Sequence, residues 1–208
     1  MIGFFGGSFD PIHLGHLNNA QQLTHQLDLS TLFLMPCREP VHKNSLTFST
    51  EQRLKMLKIA TQNITNIEID TREINRTSDS YTIDSLKEIK RQYPDQAIGL
   101  IVGMDSFNNL STWKQFEQFN QYCHLIVLSR PGEQQQHTIQ NFTSVENKTE
   151  LSTKISGLLY FADTDQHNIS SSNIRGILFN NATDGKIRAK QNLVGLLPDS
   201  VINYLEKL

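Results

Sequence analysis

The sequence predicts an α/β fold: a Rossmann-like, doubly wound parallel sheet with helices on both faces. Three observations carry this. Short, continuously apolar runs alternate with amphipathic stretches along the whole chain. The runs stop at residues that end strands, with Gly6, Pro36, Gly103 and Ser129 at the carboxyl ends. Strands apolar on both faces need cover on both sides, which a parallel sheet sandwiched by helices supplies.

The elements follow in order. Met1–Phe5 (MIGFF) reads as a buried strand closed by Gly6-Gly7. Leu14–Leu27 spaces Leu14, Leu17, Leu23 and Leu27 as an amphipathic helix. Thr31–Met35 is a second strand, stopped by Pro36. Ser49 or Thr50 caps the next helix, with Glu51 and Gln52 in its first turn and Leu54, Leu57 and Ile59 on its buried face. Ile67–Thr71 alternates as a third strand, and Tyr81–Tyr93 is a helix ended by Pro94. Ala97–Val102, Leu125–Leu128 and Leu158–Phe161 complete the strands; helices near Ser171–Asn180 and Asp199–Leu208 close the chain. Gly132–Gly157, with its Gln134-Gln135-Gln136 run, reads as a long surface loop, and no repeat or linker divides the chain. Residues 1–208 are therefore expected to be one domain, with a helical part from about 171 to 208.

Composition narrows the function. A net charge of −2 gives no general attraction to nucleic acid or an anionic membrane, so a phosphate ligand needs a local site. No basic leader or long apolar run is present, and Cys37 and Cys123 form no disulfide framework. The expected location is the cytoplasm.

The first strand runs into GGSFDPIHLGH, residues 6–16. A glycine turn between strand and helix is a general anion site, because backbone N–H groups and a helix N-terminus face the ligand. The G-x-G-x-x-G fingerprint is absent, and no Gly-Lys-Ser/Thr follows to make a P-loop. The turn supplies His13 and His16 instead, three apart, with Gly15 between them. Imidazoles there can donate directed hydrogen bonds to phosphate oxygens; the alternative is that they cap the helix. No Cys-rich cluster or H-E-x-x-H completes a metal site.

These residues resemble a family. GGSFDPIHLGH is similar to the first signature of the nucleotidyltransferase superfamily with a His/Thr-x-Gly-His turn, and ISSSNIR (Ile169–Arg175) to its second, I-S-S-T-x-I-R. MPCREPVHK (Met35–Lys43), REINRTSDSYTIDSLKEI, LIVGMDSFNNLSTWKQFEQF and LSRPG resemble segments of the nicotinate-nucleotide adenylyltransferases. Val41 stands where a second proline is usual, and Ser172 where threonine is.

The resemblance implies transfer of the adenylyl group of ATP to nicotinate mononucleotide, with Mg²⁺ carried by ATP and no dedicated protein metal ligands. It implies that His13, His16, Lys43 and Arg175 are the catalytic cations and donors. Gly6, Gly7, Ser8, Phe9, Gly103, Asp105, Ile169, Ser170, Ser171 and Ser172 would bind ATP, the serines as N-caps of a helix that faces the phosphates. Asp105 would meet the ribose hydroxyls or the waters of Mg²⁺, or cap a helix. His42, Tyr81, Thr82, Trp113 and Arg130 would hold the mononucleotide. Trp113, the only tryptophan, is expected at the start of a polar-flanked helix and stacks on the pyridine ring or packs in the core. Arg76 is a second candidate for phosphate contact or loop anchoring. The implied partners are ATP and the mononucleotide, without nucleic acid or membrane; a homo-oligomer is compatible with the reading. The alternatives are an adenylyltransferase for nicotinamide mononucleotide or another phosphorylated acceptor, and a non-catalytic nucleotide sensor. A cytidylyltransferase would carry R-T-x-G-[IV]-S-T-T in place of NISSSNIR.

Overall fold

The computed structural model describes residues 1–38, 46–128, 139–165, 169–180, 182–183, 186–187 and 190–208, without the side chains of 180–190. Its strands β1 (Ile2–Gly7), β2 (Thr31–Pro36), β3 (Ile67–Ile69), β4 (Ile98–Gly103), β5 (His124–Leu128), β6 (Thr143–Val145) and β7 (Leu158–Ala162) form one sheet. The order is β3-β2-β1-β4-β5-β7-β6, every pair parallel.

Continuous apolar runs arise because alternate residues of a strand enter different cores. On β4, Ile98, Leu100 and Val102 enter one core and Ile101 the other. On β5, Leu125 and Val127 oppose Ile126 and Leu128 in the same way. One core is closed by α1 (Leu14–Gln26), α2 (Thr50–Thr61), α6 (Ser171–Asn180) and α8 (Asp199–Leu205), through Leu23, Met56, Leu178 and Ile202 among others. The other is closed by α4 (Thr82–Gln92) and α5 (Met104–Asn108), through Ile83, Leu86, Ile89 and Phe107. Each such side chain contributes about 1.5–3 kcal/mol on burial. This is the doubly wound arrangement that the sequence predicts.

The remaining elements are α3 (Arg72–Asn75), the small antiparallel pair β8 (Ala182–Thr183) and β9 (Lys186–Ile187), and α7 (Lys190–Leu193). From β1 the chain winds outward through β2 to β3, then returns to place β4 on the other side of β1. The order reverses between β1 and β4, so their carboxyl ends flank a crevice, the usual ligand position in such sheets. Among the described residues no helix is long and apolar enough to cross a membrane.

Three local expectations are corrected. On α2, Leu54 and Ile59 are only half-buried, and the buried residues are Arg53, Met56, Leu57 and Thr61. Ser49 caps α2 in a capping box with Gln52, and the face turned inward carries a guanidinium that reaches backbone carbonyls. Trp113 starts no helix: it follows a 3₁₀ turn at Leu110–Thr112 and precedes another at Phe116–Gln121, with Gln115 left-handed at φ 53°. Within Gly132–Gly157 the edge strand β6 pairs with β7, and Lys148–Ser152 is a 3₁₀ turn.

His124 is fully buried at the start of β5. Its Nε2 lies 3.0 Å from the Lys154 carbonyl, and its Nδ1 accepts the Leu158 N–H at 3.3 Å, so the neutral ring carries its proton on Nε2. Burial lowers its pKa from the ordinary value; the Lys154 carbonyl opposes this and the Lys90 and Lys154 charges add to it. The unfolded chain therefore takes up a proton that the folded chain refuses, and this contribution to stability is lost as pH falls below about 6.5. We expect His124→Ala to lower the unfolding free energy by about 2–4 kcal/mol at neutral pH, through the cavity and two unpaired backbone groups. In urea melts the gap between wild type and variant should narrow as pH is lowered from 6.5; a constant gap would show that the ring does not resist protonation.

Candidate active site

The turn after β1 is shaped by what lies under it. Gly6 faces open space, whereas a Cβ on Gly7 would come within 3.1 Å of the Phe9 ring. Phe9 takes a left-handed φ of 45° and sends that ring into the core, edge-on to His16 at 5.0 Å. Any contact of Phe9 with a nucleotide thus falls to its backbone. The Asp10–Pro11 peptide is cis.

His13 is not on the helix but at its N-cap, extended, with Nδ1 accepting the backbone N–H of His16 at 3.3 Å. That bond leaves the proton of the neutral ring on Nε2. The two imidazoles stack with centroids 3.6 Å apart and planes at 22°. A side chain on residue 15 would press on this pair, since a Cβ there would stand 3.1 Å from His13 Nδ1. Capping and ligand binding are therefore compatible for His13.

The second signature packs against the first. The same Cβ on Gly15 would lie 3.5 Å from Ile169 Cβ. Ser170 Oγ accepts the Asn173 N–H at 3.1 Å, the geometry of an N-cap. Ser171 Oγ donates to the Pro11 carbonyl at 3.0 Å. Arg175 donates from Nη1 to the Asp10 carbonyl at 2.7 Å and from Nη2 to Ser172 Oγ at 3.1 Å. Segments some 160 residues apart in sequence thus meet at one turn.

Beside that turn lies a cavity of about 630 Å³, in the crevice between β1 and β4. Gly6, Gly7 and Ser8 form one wall, Asp105 and Ser106 another, and Tyr81, Thr82 and Trp113 a third. The N-cap of α4, Tyr81, makes no side-chain cap bond, so among the described residues no cap covers the Thr82 and Ile83 N–H groups where the helix opens on the cavity. Trp113 is half-buried, one edge against Phe119 at 6.3 Å and part of it on the cavity. Lys114 Nζ sits 3.9 Å from the Tyr81 ring centroid. Gly103 caps α5 from the end of β4, and the exposed Asp105 follows in the first turn, not at the cap.

His13, His16, Gly103, Ile169, Ser170, Ser171, Ser172 and Arg175 do not line this cavity; the glycine turn connects it to them. His42, Lys43 and Arg130 lie outside the described residues.

The sequence reading passed over two buried charges. Glu73 lines the cavity while 6% exposed, and its Oε1 accepts the Ser85 hydroxyl at 2.8 Å. Burial raises its pKa, against the pull of Ser85, Arg76 and Arg72. Arg76 is a loop anchor: Nη1 donates to Ser80 Oγ and Ser85 Oγ, and Nη2 pairs with Glu88 at 2.9 Å. Arg53, 0% exposed, donates from Nη1 to the Ser8 carbonyl and from Nη2 to the Arg38 carbonyl, both at 2.7 Å. It thereby ties the glycine turn to the segment after β2. Its spacing to Met56 and Leu57, three and four residues on, is the signal that places it on the buried face. Among the described residues no group of His, Cys, Asp and Glu is arranged to hold a metal ion.

A parallel sheet with an anion-binding turn at its switch point defines the class, and residues 4–177 match the family described as Cytidylyltransferase-like. A protein of Vesicomyosocius okutanii named "Probable nicotinate-nucleotide adenylyltransferase" is 50% identical over all of this chain and 95% of its own length. One of the same name from Psychromonas ingrahamii is 39% identical over 99% of this chain and 94% of its own. A solved Plasmodium falciparum nicotinic acid mononucleotide adenylyltransferase, complexed with NaAD, shares the fold at a TM-score of 0.73. That likeness covers 99% of this chain and 94% of that one, at 21% identity. The chain belongs to the nicotinate-nucleotide adenylyltransferases of the cytidylyltransferase-like family.

Arg53→Met would leave the Ser8 and Arg38 carbonyls without these donors. We expect a loss of about 2–4 kcal/mol in denaturant melts. A loss under about 0.5 kcal/mol would mean that water replaces the guanidinium and that it does not tie the two segments.

Proposed function

We infer that the chain transfers the adenylyl group of ATP to the 5′-phosphate of nicotinate mononucleotide, forming deamido-NAD and releasing pyrophosphate. The observation that carries this reading is the joining of the two signatures: Ser171 and Arg175 bond to Pro11 and Asp10, beside a cavity at the switch point. The family to which the chain belongs supports the same reaction.

The acceptor phosphate is already ionised at neutral pH, so the reaction needs no general base. An oxygen of that phosphate attacks the α-phosphorus in line, the bond to the bridging oxygen breaks, and pyrophosphate carries the electron pair away. Catalysis is then alignment of two polyanions and relief of charge growing on phosphate oxygens. In this reading His13, whose Nδ1 is spent on its cap, donates from Nε2, and the stacked His16 adds a second donor. The N-terminus of α6 and the Arg175 fork receive the outer phosphates. Lys43 and His42 serve phosphate oxygens in the same reading, and Gly6–Phe9, Gly103 and Ile169 shape the nucleotide's bed. Asp105 takes the ribose hydroxyls. Mg²⁺ enters as part of MgATP, with phosphates and water as its ligands.

The acceptor occupies the Tyr81, Thr82 and Trp113 side of the cavity. Trp113 stacks on the pyridine ring, the open N-terminus of α4 at Tyr81-Thr82 takes the ring carboxylate, and Arg130 is kept for its phosphate. A carboxamide would turn an NH₂ donor towards N–H donors. We treat residues 1–208 as one catalytic unit and place it in the cytoplasm, where thiols such as Cys37 and Cys123 stay reduced.

Purified protein with MgATP should release pyrophosphate with nicotinate mononucleotide at least about tenfold faster, by kcat/KM, than with the nicotinamide analogue. Equal rates would remove the acceptor assignment, and no turnover with either would favour a nucleotide sensor. His16→Ala should lower kcat about a hundredfold or more, the usual weight of a donor to developing charge, while its melt stays near wild type. An active variant would return the ring to a packing role.

A further inference from the structure

Asp10 is buried to 2% exposure at the turn, yet it does not line the cavity beside it and is placed against no substrate in the reaction described above. Its carboxylate accepts two consecutive backbone N–H groups, Thr47 on Oδ2 at 3.0 Å and Phe48 on Oδ1 at 2.9 Å. These are the last two residues before Ser49, the cap of α2. Oδ2 also lies 3.6 Å from Arg175 Nη1, the atom that donates to the carbonyl of the same aspartate at 2.7 Å. One residue therefore holds the guanidinium through both its carboxylate and its backbone. Ser172 Oγ holds the other terminal nitrogen at 3.1 Å.

We propose that Asp10 is a positioning residue for Arg175, fixing the guanidinium where ATP phosphates meet it without touching the nucleotide itself. The proposal rests on the reading of Arg175 as a phosphate-binding residue. A planar fork gives strong bonds to phosphate only when its plane and depth are set in advance, because its donors lie in fixed directions. Arg175 is 28% exposed along its side chain and Asp10 3%. The buried partner therefore has the fixed position and the exposed one takes its position from it. The main-chain bonds to Thr47 and Phe48 keep the carboxylate itself from turning. Asparagine at this position could keep one acceptor oxygen for Phe48, but would set an NH₂ against two donors, the Thr47 N–H and Arg175.

The test is a double-mutant cycle of Asp10→Asn and Arg175→Ala, read as KM for ATP, KM for the mononucleotide and kcat, with ATP binding by calorimetry. Asp10→Asn alone should raise KM and Kd for ATP about tenfold and leave KM for the mononucleotide within about twofold. In the Arg175→Ala background it should change ATP affinity by less than about twofold, because coupled residues are not additive. Equal losses in the two backgrounds would overturn the proposal, since Asp10 would then act by holding the α2 loop alone. Unchanged kinetics in Asp10→Asn would overturn it as well. Full activity in Arg175→Ala would overturn the reading of Arg175, and the proposal with it. Should Asp10→Asn not fold, Asp10→Glu keeps the charge one methylene further out. Its cycle with Arg175→Ala is read in the same way.

Discussion

Three parts of the chain end on the short stretch Ser8–Pro11, and the site depends on their doing so. From one side Arg53 of α2 donates to the Ser8 carbonyl, and from another the Thr47 and Phe48 N–H groups close on the Asp10 carboxylate. From a third, α6 brings Ser171 to Pro11 and Arg175 to Asp10. These bonds pair the buried carbonyls and the carboxylate of the stretch, while a Cβ on Gly6 would meet open space. Interior polar groups must be paired somewhere.

The fold was legible because its central strands carry short continuous apolar runs, as a sheet covered on both faces requires. MIGFF, AIGLIV and the run at 125–128 each appear within a residue or two of their place. What sequence could not show came from partners distant along the chain. β6 is Thr-Ser-Val, with no apolar run, and is a strand because Leu158–Tyr160 lies beside it. α2 was read one step out of phase because a charged residue argues for solvent, and only two carbonyls from other loops reverse that for Arg53.

The candidate site divides in the same way. His13, His16, Ser170–Ser172 and Arg175 stood out because motifs are local. That His13 stands at the cap instead of on the helix face follows from a single hydrogen bond to His16 N–H, which spacing alone leaves open. Glu73 could not be found from spacing: its burial depends on Ser85, twelve residues on in another helix. Trp113 was readable as an aromatic near the acceptor side, but its half-buried setting comes from the left-handed turn at Gln115 and the Phe119 edge.

The helix ends show how such a site can tell an acid from an amide. α1, α2 and α6 are capped by His13 Nδ1, Ser49 with Gln52, and Ser170 Oγ. α4 alone among these longer helices enters on a residue, Tyr81, that offers no side-chain cap, and it does so at the cavity wall. A missing cap costs about 0.5–2 kcal/mol, so the vacancy is a standing expense that a ligand can offset. Around it, Arg76 is matched by Glu88 at 2.9 Å, burial raises the pKa of Glu73, and Lys114 Nζ stands 3.9 Å from the Tyr81 ring. The helix end adds its partial positive charge and the N–H groups of its first turn. A carboxylate meets these with charge and with acceptors on both oxygens. A carboxamide could still place its oxygen there, but its NH₂ would find donors, and an unsatisfied buried donor costs about 1–3 kcal/mol. In the proposed reading, acceptor choice is thus set by main-chain N–H groups at a cavity wall that also carries Lys114.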